Sequence, residues 1–313
     1  MILDNGTIFY HPDLNGNVLG GMGFRYYAGT VQLFADYKDG DGHGTHVAGI
    51  MAAVGNDGGV VGVAPRTKIY GLKLFTWDQN EVAAAINYSV DVLHANIISM
   101  SVGYSQDYPV LRTACDYAYG SGVLLVAAAG NEAASSIDYP ARYNESVIAV
   151  GATYPNDTRP SWSNTGPELE FAAPGVDINS TWLAGGYCND TGTSMAVPHV
   201  TAAAALIWSS KGSWDNQHVR VALRQYALDL GPPGRDDYYG YGLVNAWEPN
   251  QRPLGDINVD YRVNLIDEFT VALAYGSVPG DPKWDQRADI NVDNKVNLID
   301  YYTVVSNFGK VDP

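Results

Sequence analysis

The stretch Gly192-Thr193-Ser194-Met195-Ala196-Val197-Pro198-His199, continued by the small-residue run from Val200 to Ile207, decides how this chain is read. A serine set among Gly, Thr and Met at the head of an Ala-rich helix is a placed serine. The N–H groups of a helix's first turn have no intrahelical partners, and the dipole is positive there, so negative charge is favoured at that spot. Such a setting suits a nucleophile whose reaction generates an oxyanion. An ordinary N-cap serine carries the same signature, since Ser is a preferred cap residue. Other stretches must separate the two.

Working outward, 313 residues leave room for one large domain and a small one. A hydrophobic share of 46% with 34 glycines fits a globular α/β protein with tight turns. The formal net charge of −16 excludes the basic surface that nucleic acid requires. It suits an extracellular protein or one that binds cations. Cys115 and Cys188 are too few for a disulfide framework; they form one bridge or stay as thiols. The longest apolar runs fall short of a membrane span.

Met1 to Leu3 reads as the end of a buried strand, and Asp4-Asn5-Gly6 places a carboxylate at its C-terminal edge. In open α/β sheets that edge collects ligands and catalytic groups. Asp41-Gly42-His43-Gly44-Thr45-His46 opens a helix rich in small residues, with His43 between two glycines. His43 and His46 lie three apart, but the H-E-x-x-H pattern is absent, which speaks against zinc. Further strands are expected over 68–75, 97–102, 122–129 and 147–152, and helices over 81–94 and 110–119. Apolar strands alternating with helices imply a parallel sheet covered on both faces. Asn131 follows such a strand after Gly130, where its amide could reach a developing oxyanion.

Together, Asp4-Asn5-Gly6, His43-Gly44-Thr45-His46, Ala129-Gly130-Asn131 and Gly192-Thr193-Ser194-Met195 resemble the subtilisin-like serine proteases over residues 1–248. The order Asp, His, Ser is that family's. Supporting matches are His11-Pro12-Asp13-Leu14, Gly62-Val63-Ala64-Pro65, Ala172-Ala173-Pro174-Gly175 and Tyr241-Gly242-Leu243-Val244-Asn245. The resemblance implies a three-layer α/β fold and a serine endopeptidase (EC 3.4.21) acting on proteins or peptides. In it Ser194 is the nucleophile, His43 the base, Asp4 the orienting acid and Asn131 the oxyanion donor. It further implies substrate binding by Ser101, Val102, Gly103, Ala128, Gly130 and Asp138. Asp138 falls at the floor of the primary pocket and Glu132 near its rim, implying a preference for Lys or Arg before the cleaved bond. Asp13 and the loop around Asn56 match the family's structural calcium site. Only three residues precede Asp4, so the chain is expected to lack the signal, the pro-segment and most of the first strand. Secretion or cell-surface attachment is inferred from the family, and the chain is expected to be monomeric.

Residues 249–254 read as a linker, and a second pattern begins at 255. Asp256, Asn258, Asp260, Asn264 and Asp267 recur 33 residues on as Asp289, Asn291, Asp293, Asn297 and Asp300. Oxygen side chains at loop positions 1, 3, 5, 9 and 12 are what Ca²⁺ needs. The segment 255–313 resembles a dockerin module, an all-α domain with two calcium loops, with Tyr261 and Asn294 in place of the usual Gly. That resemblance implies a cohesin-type partner. The competing functional reading is a non-catalytic, subtilisin-like surface binding protein.

Overall fold

The computed structural model describes residues 1–56, 58–246, 263, 265–291 and 295–307. They fall into two compact units, 1–205 with 229–244, and 206–228 with 245–313.

The first unit is built on an eight-stranded sheet in the order β3-β2-β4-β1-β5-β6-β7-β8. The strands are β1 (Ile2–Asp4), β2 (Val18–Tyr27), β3 (Thr30–Phe34), β4 (Ile69–Leu74), β5 (Ile97–Met100), β6 (Leu124–Ala128), β7 (Val147–Thr153) and β8 (Leu169–Pro174). All neighbours are parallel except β3, which returns antiparallel to β2. The helices are α1 (His43–Ala52), α2 (Gln79–Asp91), α3 (Pro109–Gly120) and α4 (Thr193–Ser210). Every residue of β5, β6 and β7 is buried, as expected of strands covered on both faces. β1 is short, yet it lies at the centre, pairing Ile2 and Leu3 with β4 on one side and β5 on the other.

The β2–β3 hairpin was not foreseen. Gly20, Gly21 and Gly23 break the alternation by which a strand is recognised. The structure explains Gly21: a Cβ there would meet the Gly71 carbonyl at 2.2 Å and the Tyr37 ring at 2.3 Å. The sheet is therefore mixed at one edge. A second hairpin, β9 (Ile178–Thr181) with β10 (Tyr187–Asp190), leads into α4.

In the second unit α5 (Asn216–Tyr226), α6 (Leu265–Ala274) and α7 (Leu298–Asn307) are described. Val263, Val271, Ile290, Val296 and Val304 with two alanines form its small core. α6 and α7 follow the two halves of the repeat at equivalent positions. Asp256, Asn258, Asp260, Asn264 and Asp293 lie outside the described residues.

Candidate active site

The C-terminal edge of the parallel sheet gathers the expected residues. Asp4 ends β1 and is fully buried, with Asn5 N–H on its Oδ1 at 2.7 Å. His43 begins α1, and its Nδ1 lies 2.8 Å from Asp4 Oδ1 and 3.0 Å from Oδ2. This approach needs Gly44: a Cβ there would sit 2.0 Å from the Gly6 carbonyl and 3.0 Å from Asp4 Cβ. Only without that side chain can α1 rest on the end of β1.

Asp4 accepts at Nδ1, so in the neutral imidazole that nitrogen carries the proton and Nε2 keeps a lone pair. Burial disfavours charge on His43. The Asp4 charge and hydrogen bond, with Asp190 and Asp41 further out, outweigh it and raise the imidazole to about 9. Burial also pushes Asp4 up, while His43 and the Asn5 N–H pull it back.

Ser194 is the second residue of α4 and is half-buried. Two strand ends hold its turn. Ser101, just beyond β5, donates its Oγ to the Ser194 carbonyl at 3.0 Å. Asn131, just beyond β6, accepts from Thr193 N–H at 2.9 Å and from Thr193 Oγ1 at 3.0 Å, both on Oδ1. Those bonds orient the amide, and its Nδ2 has no partner among the described residues. An oriented, unengaged N–H beside a helix start is the equipment for holding an oxyanion.

The loop after β6 is set by a residue that the sequence did not single out. Asn164 Oδ1 accepts from Glu132 N–H and Ala134 N–H, while its Nδ2 donates to Ala129 O and Glu132 Oε2. Thr193 and Asp39 were missed as well. Asp39 accepts from the N–H groups of Asp41, Gly42 and Thr45 and from Thr45 Oγ1, and so fixes the start of α1. The only hint was Asp and Thr in turn-like segments.

Burial narrows what two of the expected residues can offer. Ala128 is 5% exposed inside β6. Val102 is 4% exposed, which leaves backbone as the only peptide-binding surface it can offer. His46 is not paired with His43: its Nε2 donates to the carbonyls of Ile178 and Cys188 on the β9–β10 hairpin. Burial keeps His46 below its ordinary range. Cys115 and Cys188 are separate thiols.

At the expected Asp13 calcium site the structure shows a hydrogen-bonded cluster. Asp13 and Asn56 do meet, but as hydrogen-bond partners at 3.0 Å. The other oxygen of Asp13 accepts from Val60 N–H and the Tyr187 hydroxyl, each at 2.9 Å. Burial alone would raise Asp13, yet these three donors hold it below the usual carboxylate range. No group of three or more His, Cys, Asp or Glu side chains gathers here among the described residues.

In the second repeat the donor set is oxygen only, which fits a hard cation. Asp300 is fully buried, as is its equivalent Asp267, and Asp289 is 4% exposed. Asp300 accepts from the N–H groups of Ile290, Asn291 and Asn297, closing the loop on itself.

A family model described as the subtilase family, peptidase S8, matches residues 1–242. The thermostable alkaline protease of Halalkalibacterium halodurans is 41% identical over 256 residues, covering 80% of this chain and 66% of that protein. Subtilisin E of Bacillus subtilis is 42% identical, covering 78% of this chain and 63% of its own length. For the subtilisin of Bacillus pumilus the identity is 42%, with 78% and 88% covered. The chain thus spans slightly under two thirds of the first two relatives. No described helix is long and apolar enough to cross a membrane.

Proposed function

Because the chain belongs to the subtilase family, we propose that it is a serine endopeptidase acting through an acyl-enzyme on Ser194. The observation that carries this reading is the 2.8 Å bond from His43 Nδ1 to the buried Asp4. Binding alone gives no reason to bury a carboxylate against an imidazole on the edge that also holds a serine and an oriented amide.

In this reading His43 Nε2 takes the proton of Ser194 Oγ as the Oγ–carbon bond forms on the substrate carbonyl. The carbonyl oxygen becomes an anion held by Asn131 Nδ2 and the Ser194 amide. Collapse breaks the carbon–nitrogen bond, and the leaving amine takes the proton from Nε2. Water then repeats the sequence on the acyl-enzyme, releasing the acid and restoring Ser194. Substrate lies extended along the backbone of residues 101–103, adding a strand in the manner of β-augmentation.

Labelling with a fluorophosphonate tests this. One adduct per chain, abolished in Ser194→Ala, is expected. A folded protein that neither labels nor cleaves casein overturns the reading and favours a non-catalytic binding protein.

The repeat in residues 255–313 is read as a dockerin-like module holding Ca²⁺ through Asp289, Asn291, Asn297 and Asp300, with Asp293, and through the equivalent residues of the first loop. It would tether the enzyme to a cohesin-type partner outside the cell. The buried position-12 carboxylates support this. A monomeric enzyme secreted or held at the cell surface is the corresponding assembly.

A further inference from the structure

We propose that the pocket between Gly103 and Gly130 takes a Lys or Arg side chain from the residue before the cleaved bond, held between two carboxylates, Asp138 and Glu132. This rests on the endopeptidase reading and names the substrate class of that same site.

The two segments that would form the pocket adjoin the nucleophile's turn. One wall follows Ser101, which is bonded to the Ser194 carbonyl. The other is Gly130, whose N–H donates to Thr193 Oγ1 at 3.3 Å. A substrate carbonyl placed at Ser194 and Asn131 would send its own side chain between these walls. Both are glycines, and both are approached by acid. Asp138 Oδ2 lies 2.8 Å from the point a Cβ would occupy on Gly103, and 2.8 Å from that point on Gly130. Glu132 Oε2 lies 2.7 Å from the same point on Gly130. The two carboxylates therefore converge on one volume.

The backbone fixes Asp138 in place. Its N–H donates to Ala129 O at 3.0 Å, and its carbonyl accepts from Arg142 N–H at 2.9 Å. The next residue, Tyr139, exchanges both backbone bonds with Tyr104 at 2.8 Å. Segments 102–104 and 129–130 are thus tied to Asp138 on either side.

Glu132 has its charge answered by two donors, Asn131 N–H at 2.7 Å and Asn164 Nδ2 at 2.8 Å. The Asp138 carboxylate has no hydrogen-bond partner among the described residues. The nearby cation does not serve it: Arg142 points its Nε to Glu168 and stacks over the Tyr139 ring at 5.5 Å. Tyr104, on the opposite wall, gives its hydroxyl to Trp77 O. Burial, and then the charge of Glu132, raise Asp138 to about 6. An apolar side chain entering here would strip water from two acids and offer them nothing, which is costly. An ammonium or guanidinium supplies the missing donors and the counter-charge.

The test uses peptide substrates that differ only at the residue before the cleaved bond, Arg, Lys, Leu or Phe, measured from pH 5 to 9. The ratio of kcat/KM for Arg over Leu is the readout, because the titration of His43 is common to both and cancels. The ratio should exceed about tenfold at pH 8 and fall as Asp138 takes up a proton near pH 6. Asp138→Asn should collapse it by about 10- to 100-fold, and Glu132→Gln by less. Competitive inhibition of the unmutated protein by benzamidine, but not by neutral benzamide, gives the same answer without a variant. A ratio at or below one at pH 8, or equal inhibition by the two compounds, overturns the proposal while leaving the endopeptidase reading intact. Absence of both turnover and Ser194 labelling overturns both.

Discussion

His43 sits among acids that do different work. Asp4 touches the ring and fixes its tautomer, whereas Asp190 and Asp41 reach the ring through their charge, Asp41 also accepting from the His43 backbone N–H at 3.4 Å. A base must be neutral to accept a proton, so a raised imidazole delays activity until the pH climbs toward 9. Removing a negative charge lowers that value and frees the base earlier. Asp190→Asn should therefore move the acid limb of the kcat/KM profile to lower pH. Raising ionic strength should move it the same way, because exposed Asp41 is readily screened. An acid limb that stays put in both experiments would remove the acids from this role. Asn131 allows a sharper test. Its Oδ1 is held by Thr193 and its Nδ2 is left unengaged, so Asn131→Leu keeps bulk and loses the donor. A fall in kcat on the order of 100-fold or more, with KM little changed, is expected; the magnitude is the one known from subtilisin.

Among the elements, α1 carries His43, the proposed base, and depends on an acid outside itself. Asp39 is 4% exposed and collects four donors from residues 41–45, so Asp39→Ala leaves buried N–H groups without an acceptor. Urea unfolding should show a loss of about 1–3 kcal/mol. Because the same bonds set the angle of His43, kcat/KM should fall in conditions where the variant is fully folded. A destabilised variant with unchanged kinetics would confine Asp39 to folding. This acid also marks where sequence reading stops. α1, α4 and the buried strands β5 to β7 announced themselves by apolar runs and small residues, because period and burial are properties of contiguous residues. Asp4, His43, Asn131 and Ser194 were legible because each sits at a strand or helix end with its own local motif. Asp39, Thr193 and Asn164 act across 6, 62 and up to 35 positions of chain, through hydrogen bonds that no local pattern encodes. The β2–β3 hairpin was hidden for a related reason: Gly21 answers to Tyr37 and Gly71, and Gly23 to Asp36 and Phe75, not to their sequence neighbours.

For the molecule as a whole, the question is which unit needs a cation. The segment 255–313 is about 60 residues long, below the size at which a single core suffices without a staple. Its described core is five branched residues and two alanines, while Leu265, Ile266, Phe269 and Leu273 of α6 stay exposed. It also buries Asp267, Asp289 and Asp300, acids that a hard cation would compensate. Bound Ca²⁺ stabilises the folded form by mass action, so its removal should melt this segment first. In the peptidase unit the Asp13 loop is instead closed by Asn56, Val60 and Tyr187. Adding a chelator should therefore split thermal unfolding into two transitions and lower only the smaller one. Hydrolysis of a short peptide should persist through that first transition, and Tyr187→Phe should lower the second transition whether or not chelator is present. Loss of peptide hydrolysis in step with calcium, with the repeat segment still folded, would place the required cation in the peptidase unit and reverse this assignment.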